Sequence, residues 1–305
     1  MNPSSRTLLL VSALLFGAAP AQAALKVVTT TQDAAALTRA VGGDRVDVKA
    51  LAKGFQDPHF LDAKPTFMLD LNRADLVECI GLELEIGYLP ALIAGAHNDK
   101  INSGEPGYLD LSQFIAPLEV VPAADRSQGD IHPNGNPHYW LDPENGRQMA
   151  RGIAARLAQL DPAGKDAYAA NLAAFEKALT AKEAEWDKAM ARLAGQPILT
   201  YHRSWTYFAK RFKLEVVGFI EPKPGIPPTP QHTLDLIRLA EAKGVKVQLM
   251  ESFYDDRMPR LIASKSGAKL AQVPNSVGGT EQVKTYFDLF DAIVGAVTKA
   301  TGATP

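Results

Sequence analysis

One apolar stripe runs through residues 172–193, which read LAAFEKALTAKEAEWDKAMARL. Its large apolar residues recur at spacings of three, four and seven, which is the period of one face of an α-helix. They are Leu172, Phe175, Leu179, Trp186, Met190 and Leu193. A stripe of this length needs something equally long to pack against. We therefore predict a single long helix over residues 161–195, lying between two folded halves.

Helix and strand signals alternate on both sides of this helix. The predicted strands before it are 25–30, 46–51, 76–80 and a short one near 118–121. After it, the same kind of alternation fills residues 197–298. Such alternation indicates βαβ units with a mainly parallel sheet. We predict an α/β fold with two lobes, residues 24–160 and 196–305, joined by the long helix.

The N-terminal segment has the pattern of a cleavable export signal. Arg6 precedes the apolar run 8–16, and Ala21-Gln22-Ala23 is the small-x-small pattern that signal peptidase cleaves. We expect residues 1–23 to be removed, so that the mature chain starts at Ala24. A membrane anchor is the alternative, but the apolar run is shorter than the roughly 20 residues that span a bilayer.

The composition of the chain argues against nucleic-acid binding, disulfide bonding and lipid attachment. Lysine plus arginine (32) nearly balances aspartate plus glutamate (34), so no basic face for nucleic acid is indicated. The one cysteine, Cys79, lies in an apolar context, so no internal disulfide can form and no cysteine for lipid attachment follows the leader. We expect a soluble, periplasmic monomer.

Three of the six histidines lie at the ends of predicted elements, where a side chain can project into a cleft. They are His59, His138 and His202, and proline directly precedes the first two. Three imidazole nitrogens that converge with one oxygen form a tetrahedral site for zinc, and a less suitable one for manganese or iron. A hydrogen-bonded structural role is the alternative for each histidine taken singly. The two Pro-His motifs together favour a metal site.

Four motifs follow one another over nearly the whole mature sequence. They are Asp-Pro-His at 57–59, Asn-Pro-His-Tyr-Trp-Leu-Asp-Pro at 136–143, Tyr-His-Arg-Ser-Trp-Thr-Tyr-Phe at 201–208 and Met-Glu-Ser-Phe-Tyr-Asp-Asp-Arg at 250–257. In this order and at these separations they resemble the zinc/manganese solute-binding protein family of ABC importers. The resemblance implies a metal site at the lobe interface, with His59, His138 and His202 as ligands.

The usual fourth ligand of that family is an aspartate, and this sequence has Asn275 in its place. The alternatives for that position are Asn275, water, Glu251 and Glu221. A shell dominated by imidazole suits Zn²⁺ better than Mn²⁺, so we favour zinc, with Mn²⁺ or Fe²⁺ as the other possibilities. We expect the aromatic residues Tyr139, Trp140 and Trp205 to pack beside the site and orient the imidazoles. His132 is interpreted as a solvated loop histidine, with auxiliary metal capture as the alternative.

The resemblance also implies a function. The protein would capture a divalent transition metal as a transported ligand and deliver it to a permease in the inner membrane, driven by a separate ATPase. An exported zinc metallohydrolase is one alternative, since three histidines and an open position also hold catalytic zinc. The sequence has no His-Glu-x-x-His pairing, so we predict a protein that is not an enzyme. A metal-containing adhesin is the second alternative.

Overall fold

The computed structural model describes residues 23–121 and 131–302. Residues 1–22, which make up nearly all of the predicted export signal, lie outside the described residues. The described chain forms two α/β lobes joined by a long helix, which confirms the predicted fold class. No helix in the two described ranges is long and apolar enough to cross a membrane.

The first lobe is built on a four-stranded parallel sheet with the order β2-β1-β3-β4. Its strands are β1 (Leu25–Thr29), β2 (Val46–Ala50), β3 (Leu76–Cys79) and β4 (Tyr108–Asp110). Its helices are α1 (Gln32–Gly42), α2 (Pro65–Asn72), α3 (Leu89–Ala96) and α4 (Pro143–Leu160). Because the strands are parallel, their carboxyl ends share one edge of the sheet, where folds of this kind collect ligands.

The second lobe repeats this plan, with the strand order β6-β5-β7-β8. Its strands are β5 (Pro197–Thr200), β6 (Glu215–Phe219), β7 (Val247–Glu251) and β8 (Lys269–Val273). Its helices are α6 (Thr206–Arg211), α7 (Pro230–Lys243), α8 (Arg257–Ser266) and α9 (Tyr286–Thr301). The two inner strands of each sheet, β1 and β3 or β5 and β7, have a parallel neighbour on both sides, as in a doubly wound fold.

The long helix α5 (Lys165–Met190) continues into a 3₁₀ turn at Ala191–Leu193. All but one of its stripe residues are buried, and Leu172 is partly buried. The helix packs against α1 and α4 of the first lobe and α9 of the second. One apolar core therefore runs continuously through both lobes, which restricts their relative movement.

The predicted strand near Leu118–Val121 is wrong, and the fourth strand of the first sheet is Tyr108–Asp110 instead. The amide of Val121 donates to the carbonyl of Pro133 at 3.1 Å, and that of Leu118 to the hydroxyl of Tyr207 at 2.9 Å. These bonds tie the segment to loops and to the second lobe rather than to a strand. The true strand has only three residues, too few for its alternation to be visible in a turn-rich sequence.

Candidate metal centre

Polar side chains stand at the carboxyl ends of all four strands of the second sheet. His202 follows β5, Glu221 follows β6, Glu251 ends β7, and Asn275 follows β8. These ends meet at one edge because the strands are parallel. The first lobe adds His59, from the loop after β2, and His138, which immediately precedes the 3₁₀ turn Tyr139–Leu141. Both lobes thus contribute histidines to one interface.

The three predicted ligands converge. The ring centroids of His59 and His138 are 5.1 Å apart, and each lies 5.3 Å from that of His202. Among the described residues, these three form a group whose candidate ligand atoms all lie within 4.8 Å of one another. His138 and His202 are buried, and the side chain of His59 is nearly so. A single ion between them would be shielded from bulk solvent.

Carboxylates orient two of the rings. Nδ1 of His59 lies 2.7 Å from Oδ1 of Asp57, and Nδ1 of His202 lies 2.8 Å from Oε2 of Glu221. A carboxylate can only accept from Nδ1–H, so each ring presents the lone pair of Nε2. Nε2 of His59 is buried and has no hydrogen-bond partner among the described residues. Asp57 was not predicted as a partner of His59, although a carboxylate two residues before a histidine at a turn is a usable signal.

His138 is held by its backbone rather than by its ring. Its amide donates to Oδ1 of Asn136 at 2.9 Å, and Nδ2 of Asn136 donates to the carbonyl of Arg203 in the second lobe at 2.8 Å. Neither ring nitrogen of His138 finds a partner in the described part of the chain. Burial, together with the neighbouring His59, lowers the pKa of His138 well below its ordinary value. The ring is therefore neutral at physiological pH, which is the form that binds a metal.

Two acids of the second lobe, Glu221 and Glu251, lie close to His202 and change its pKa. Burial alone would lower the pKa of His202, but Glu221 and Glu251 raise it above its ordinary value. Burial raises the pKa of Glu251 to about 7, opposed by the nearby His202. Both carboxylate oxygens of Glu251 are buried, and the side chain of Ser204 lies near enough to lower the pKa of that carboxyl. A bound cation would supply the positive charge that these carboxylates face.

The predicted candidates for a fourth ligand occupy different positions. Glu221 supports His202, and neither Glu221 nor Glu251 belongs to the group of three within the 4.8 Å limit. Asn275 is buried and lines a small cavity together with Gln56, Pro58 and Trp140. Its backbone carbonyl accepts from Nε1 of Trp140 at 2.8 Å. The assignment of a fourth ligand stays a prediction.

The three predicted aromatic neighbours are fully buried. The ring of Trp140 lies 5.1 Å from that of His138 in an edge-on arrangement. Tyr139 donates its hydroxyl to the carbonyl of Ile80 at 2.5 Å, and Trp205 packs edge-on against Phe208. Trp140 thus contacts a candidate ligand directly, whereas the other two fix the turns on which His138 and His202 lie.

The interpretation of His132 as a solvated loop histidine is wrong. Its ring centroid lies 5.3 Å from that of His59, and its Nε2 is buried. Burial, reinforced by His59 and His202, lowers the pKa of His132 to about 3. His132 also lines a cavity of about 160 Å³ that reaches His138 and His202. The segment around His132 has few apolar residues, so no local pattern indicated that it folds back onto the site.

Replacing Glu221 by alanine is expected to weaken zinc binding by about 10- to 100-fold, because the ring of His202 loses the partner that fixes its orientation and basicity. Competition with a chromophoric chelator measures the change. Glu215→Ala is the matched control, since Glu215 is an exposed glutamate at the start of β6. Equal affinity of the two variants would contradict the orienting role.

The chain is similar to known components of metal importers. Residues 27–300 match the family model described as "Zinc-uptake complex component A periplasmic". The chain is 28% identical over 247 residues to the manganese ABC transporter substrate-binding lipoprotein PsaA of Streptococcus pneumoniae, covering 79% of this chain and 76% of PsaA. It is 27% identical over 248 residues to the iron ABC transporter substrate-binding lipoprotein MtsA of Streptococcus pyogenes serotype M1, covering 80% and 77%. A solved structure of a ZnuA deletion mutant with zinc bound has a TM-score of 0.77 and 26% identity, over 92% of this chain and 100% of that one.

Proposed function

The chain belongs to the family of periplasmic zinc-uptake complex component A proteins, and on this premise we propose that it captures Zn²⁺ for an ABC importer. The substrate-binding role and a divalent metal as cargo follow from the family and its metal-transporting relatives. The choice of zinc is our proposal. The observation that carries it is the convergence of His59, His138 and His202 within 4.8 Å.

Donor chemistry supports zinc over the metals named for the two streptococcal relatives. Imidazole nitrogens suit zinc, whereas manganese prefers carboxylate and carbonyl oxygens. The three converging donors here are all nitrogens, and the nearest carboxylates, Asp57 and Glu221, are engaged with the Nδ1 atoms of His59 and His202. The carboxylates thus strengthen the imidazoles instead of replacing them as ligands.

We further propose that the loaded protein docks on a membrane permease and that a separate ATPase drives transport. Because α5 and the shared core join the lobes firmly, metal entry and release would involve loops at the site rather than a wide hinge. Export to the periplasm through a cleavable signal stays a prediction, since residues 1–22 lie outside the described ranges.

The metallohydrolase alternative is less well supported. Pockets for small organic substrates are typically about 300–1,000 Å³. The cavity next to His132, His138 and His202 measures about 160 Å³, enough for a few water molecules but small for a substrate. No observation favours the adhesin alternative.

A competitive titration tests the proposed cargo. We expect the metal-stripped mature protein to bind one equivalent of Zn²⁺ tightly and Mn²⁺ at least about 100-fold more weakly, because a nitrogen-rich shell disfavours manganese. The measurement uses a chromophoric chelator for each ion under the same buffer conditions. Tighter binding of Mn²⁺ than of Zn²⁺ would overturn zinc as the cargo, and failure to bind either ion would overturn the capture function itself.

A further inference from the structure

A fourth histidine lies at the site without having been assigned to it. The ring centroid of His132 is 5.3 Å from that of His59, which equals the separation of His202 from the other two rings of the group. His132 and His138 also line the same cavity, together with His202. His132 is thus a direct ring neighbour of His59 and lies at the edge of the group formed by His59, His138 and His202.

The ring of His132 is arranged as a ligand would be. It hydrogen-bonds the backbone of Leu82, and its Nε2 is buried without a partner among the residues described. A backbone carbonyl that accepts from Nδ1–H leaves the lone pair of Nε2 free, as Asp57 does for His59. Burial of a nitrogen without a hydrogen-bond partner destabilises the folded state, and a bound metal ion would remove that cost.

The backbone that hydrogen-bonds the ring of His132 has an unusual conformation. Leu82 and Glu83 both adopt left-handed backbone conformations, with φ of 52° and 69°, which side chains other than glycine rarely do. Glu83 accepts from Nδ2 of Asn134 at 3.2 Å, and the amide of Gly135 donates to the carbonyl of His132 at 3.1 Å. Strained backbone of this kind persists at functional sites where the surroundings hold it in place. Here it presents a hydrogen-bond partner to His132.

We propose that His132 is the fourth ligand of the captured ion, so that four imidazoles bind Zn²⁺. The proposal rests on the proposed function. His132 lies outside the group that satisfies the 4.8 Å limit, so its ring has to approach those of the other three when zinc–nitrogen bonds of about 2.0–2.1 Å form. Asn275 then has a structural role, holding Trp140 through its backbone carbonyl. A shell of four nitrogens would also explain selection against manganese.

X-ray absorption of the zinc-loaded protein tests this assignment, together with competitive titration. We expect a first shell of four imidazoles in the unmodified chain and three in His132→Ala. The affinity should fall by at least about 10- to 100-fold, since losing a ligand costs no less than losing an outer-shell partner. The zinc affinity of His132→Asn, whose amide can still donate to the backbone of Leu82, should decrease by the same factor. Asn275→Ala should keep four imidazoles.

His97→Asn is the control, because His97 is exposed and adopts a left-handed conformation that asparagine tolerates. Tight zinc binding that is unchanged in His132→Ala would overturn the fourth ligand and leave the proposed function intact. Restored affinity in His132→Asn would show a structural role only, which also overturns it. Absence of tight zinc binding in the unmodified chain would overturn both.

Discussion

Replacing His138 by alanine is expected to lower the zinc affinity by about 100-fold or more. Structural zinc sites with four ligands have apparent binding free energies of roughly 10–16 kcal/mol, so one ligand corresponds to about 3 kcal/mol. At about 1.4 kcal/mol per factor of ten, this is a loss of about two orders of magnitude. Among the proposed ligands, His138 is expected to show a large effect, because both of its ring nitrogens are buried and lack partners among the described residues.

Competition with a chelator measures this loss, and thermal unfolding with and without Zn²⁺ provides an independent readout. The metal-free variant should remain folded, since the substitution removes two unsatisfied buried nitrogens along with the ring. Its unfolding temperature should no longer rise on adding zinc at a concentration that saturates the unmodified chain. His97→Asn should behave like the unmodified chain. A His138→Ala variant that binds zinc normally would falsify the assignment of the three-histidine site.

The fold was predictable because its signals are long or repeated. The stripe from Leu172 to Leu193 has a period that only a helix satisfies, and the structure buries it against both lobes. Strands such as β7 are continuous apolar runs bounded by loops, which is typical of buried parallel strands. The strand β4 was missed because three residues that pair with one neighbour carry almost no periodic pattern.

Some residues of the candidate site have a local signal in the sequence, and others do not. His59 and His138 were predicted because a preceding proline and a turn mark them in the sequence, and His202 because it directly follows a strand; the structure brings the three together. His132 was misjudged because its position depends on its hydrogen bond to the backbone of Leu82 and on the bond between the side chains of Asn134 and Glu83, and both partners lie some fifty residues away. Tertiary contacts of that kind leave no local pattern. The hydrogen bond between Glu221 and His202 was equally invisible, although Glu221 itself was singled out.

Buried acids away from the metal centre affect the stability of the whole protein. Glu78, in the central strand β3, is fully buried, and its Oε2 accepts from Oγ1 of Thr38 at 2.5 Å. Its Oε1 lacks a partner within the described residues. Burial raises the pKa of Glu78 from its ordinary value of 4.5 to about 8, partly opposed by Arg156. The folded state therefore holds this proton more tightly than the unfolded state does.

The sign of the pH dependence follows from this shift. Stability contributed by the protonated Glu78 is fully present below pH 4.5 and is lost as the pH rises through about 8. At about 1.4 kcal/mol per pKa unit, this group should lower the free energy of unfolding by roughly 3 kcal/mol between pH 5 and pH 8. Glu78→Gln, which cannot ionise, should remove that part of the pH dependence.

Urea unfolding of the metal-free protein in the presence of a chelator, at pH 5 and pH 8, measures the difference. Burying the new amide changes the free energy of unfolding by the same amount at both pH values. This change therefore cancels in the difference between pH 5 and pH 8, whether the variant is more or less stable than the unmodified chain. Glu281→Gln, a change at an exposed glutamate, should leave the pH dependence unaltered. An equal decrease in the free energy of unfolding of Glu78→Gln and the unmodified chain between pH 5 and pH 8 would contradict this prediction. The carboxyl of Glu78 would then be ionised at both pH values in the folded protein, and its pKa would not be raised. Such a result would require water or a counter-charge at the Oε1 atom of Glu78, where the described residues provide no partner.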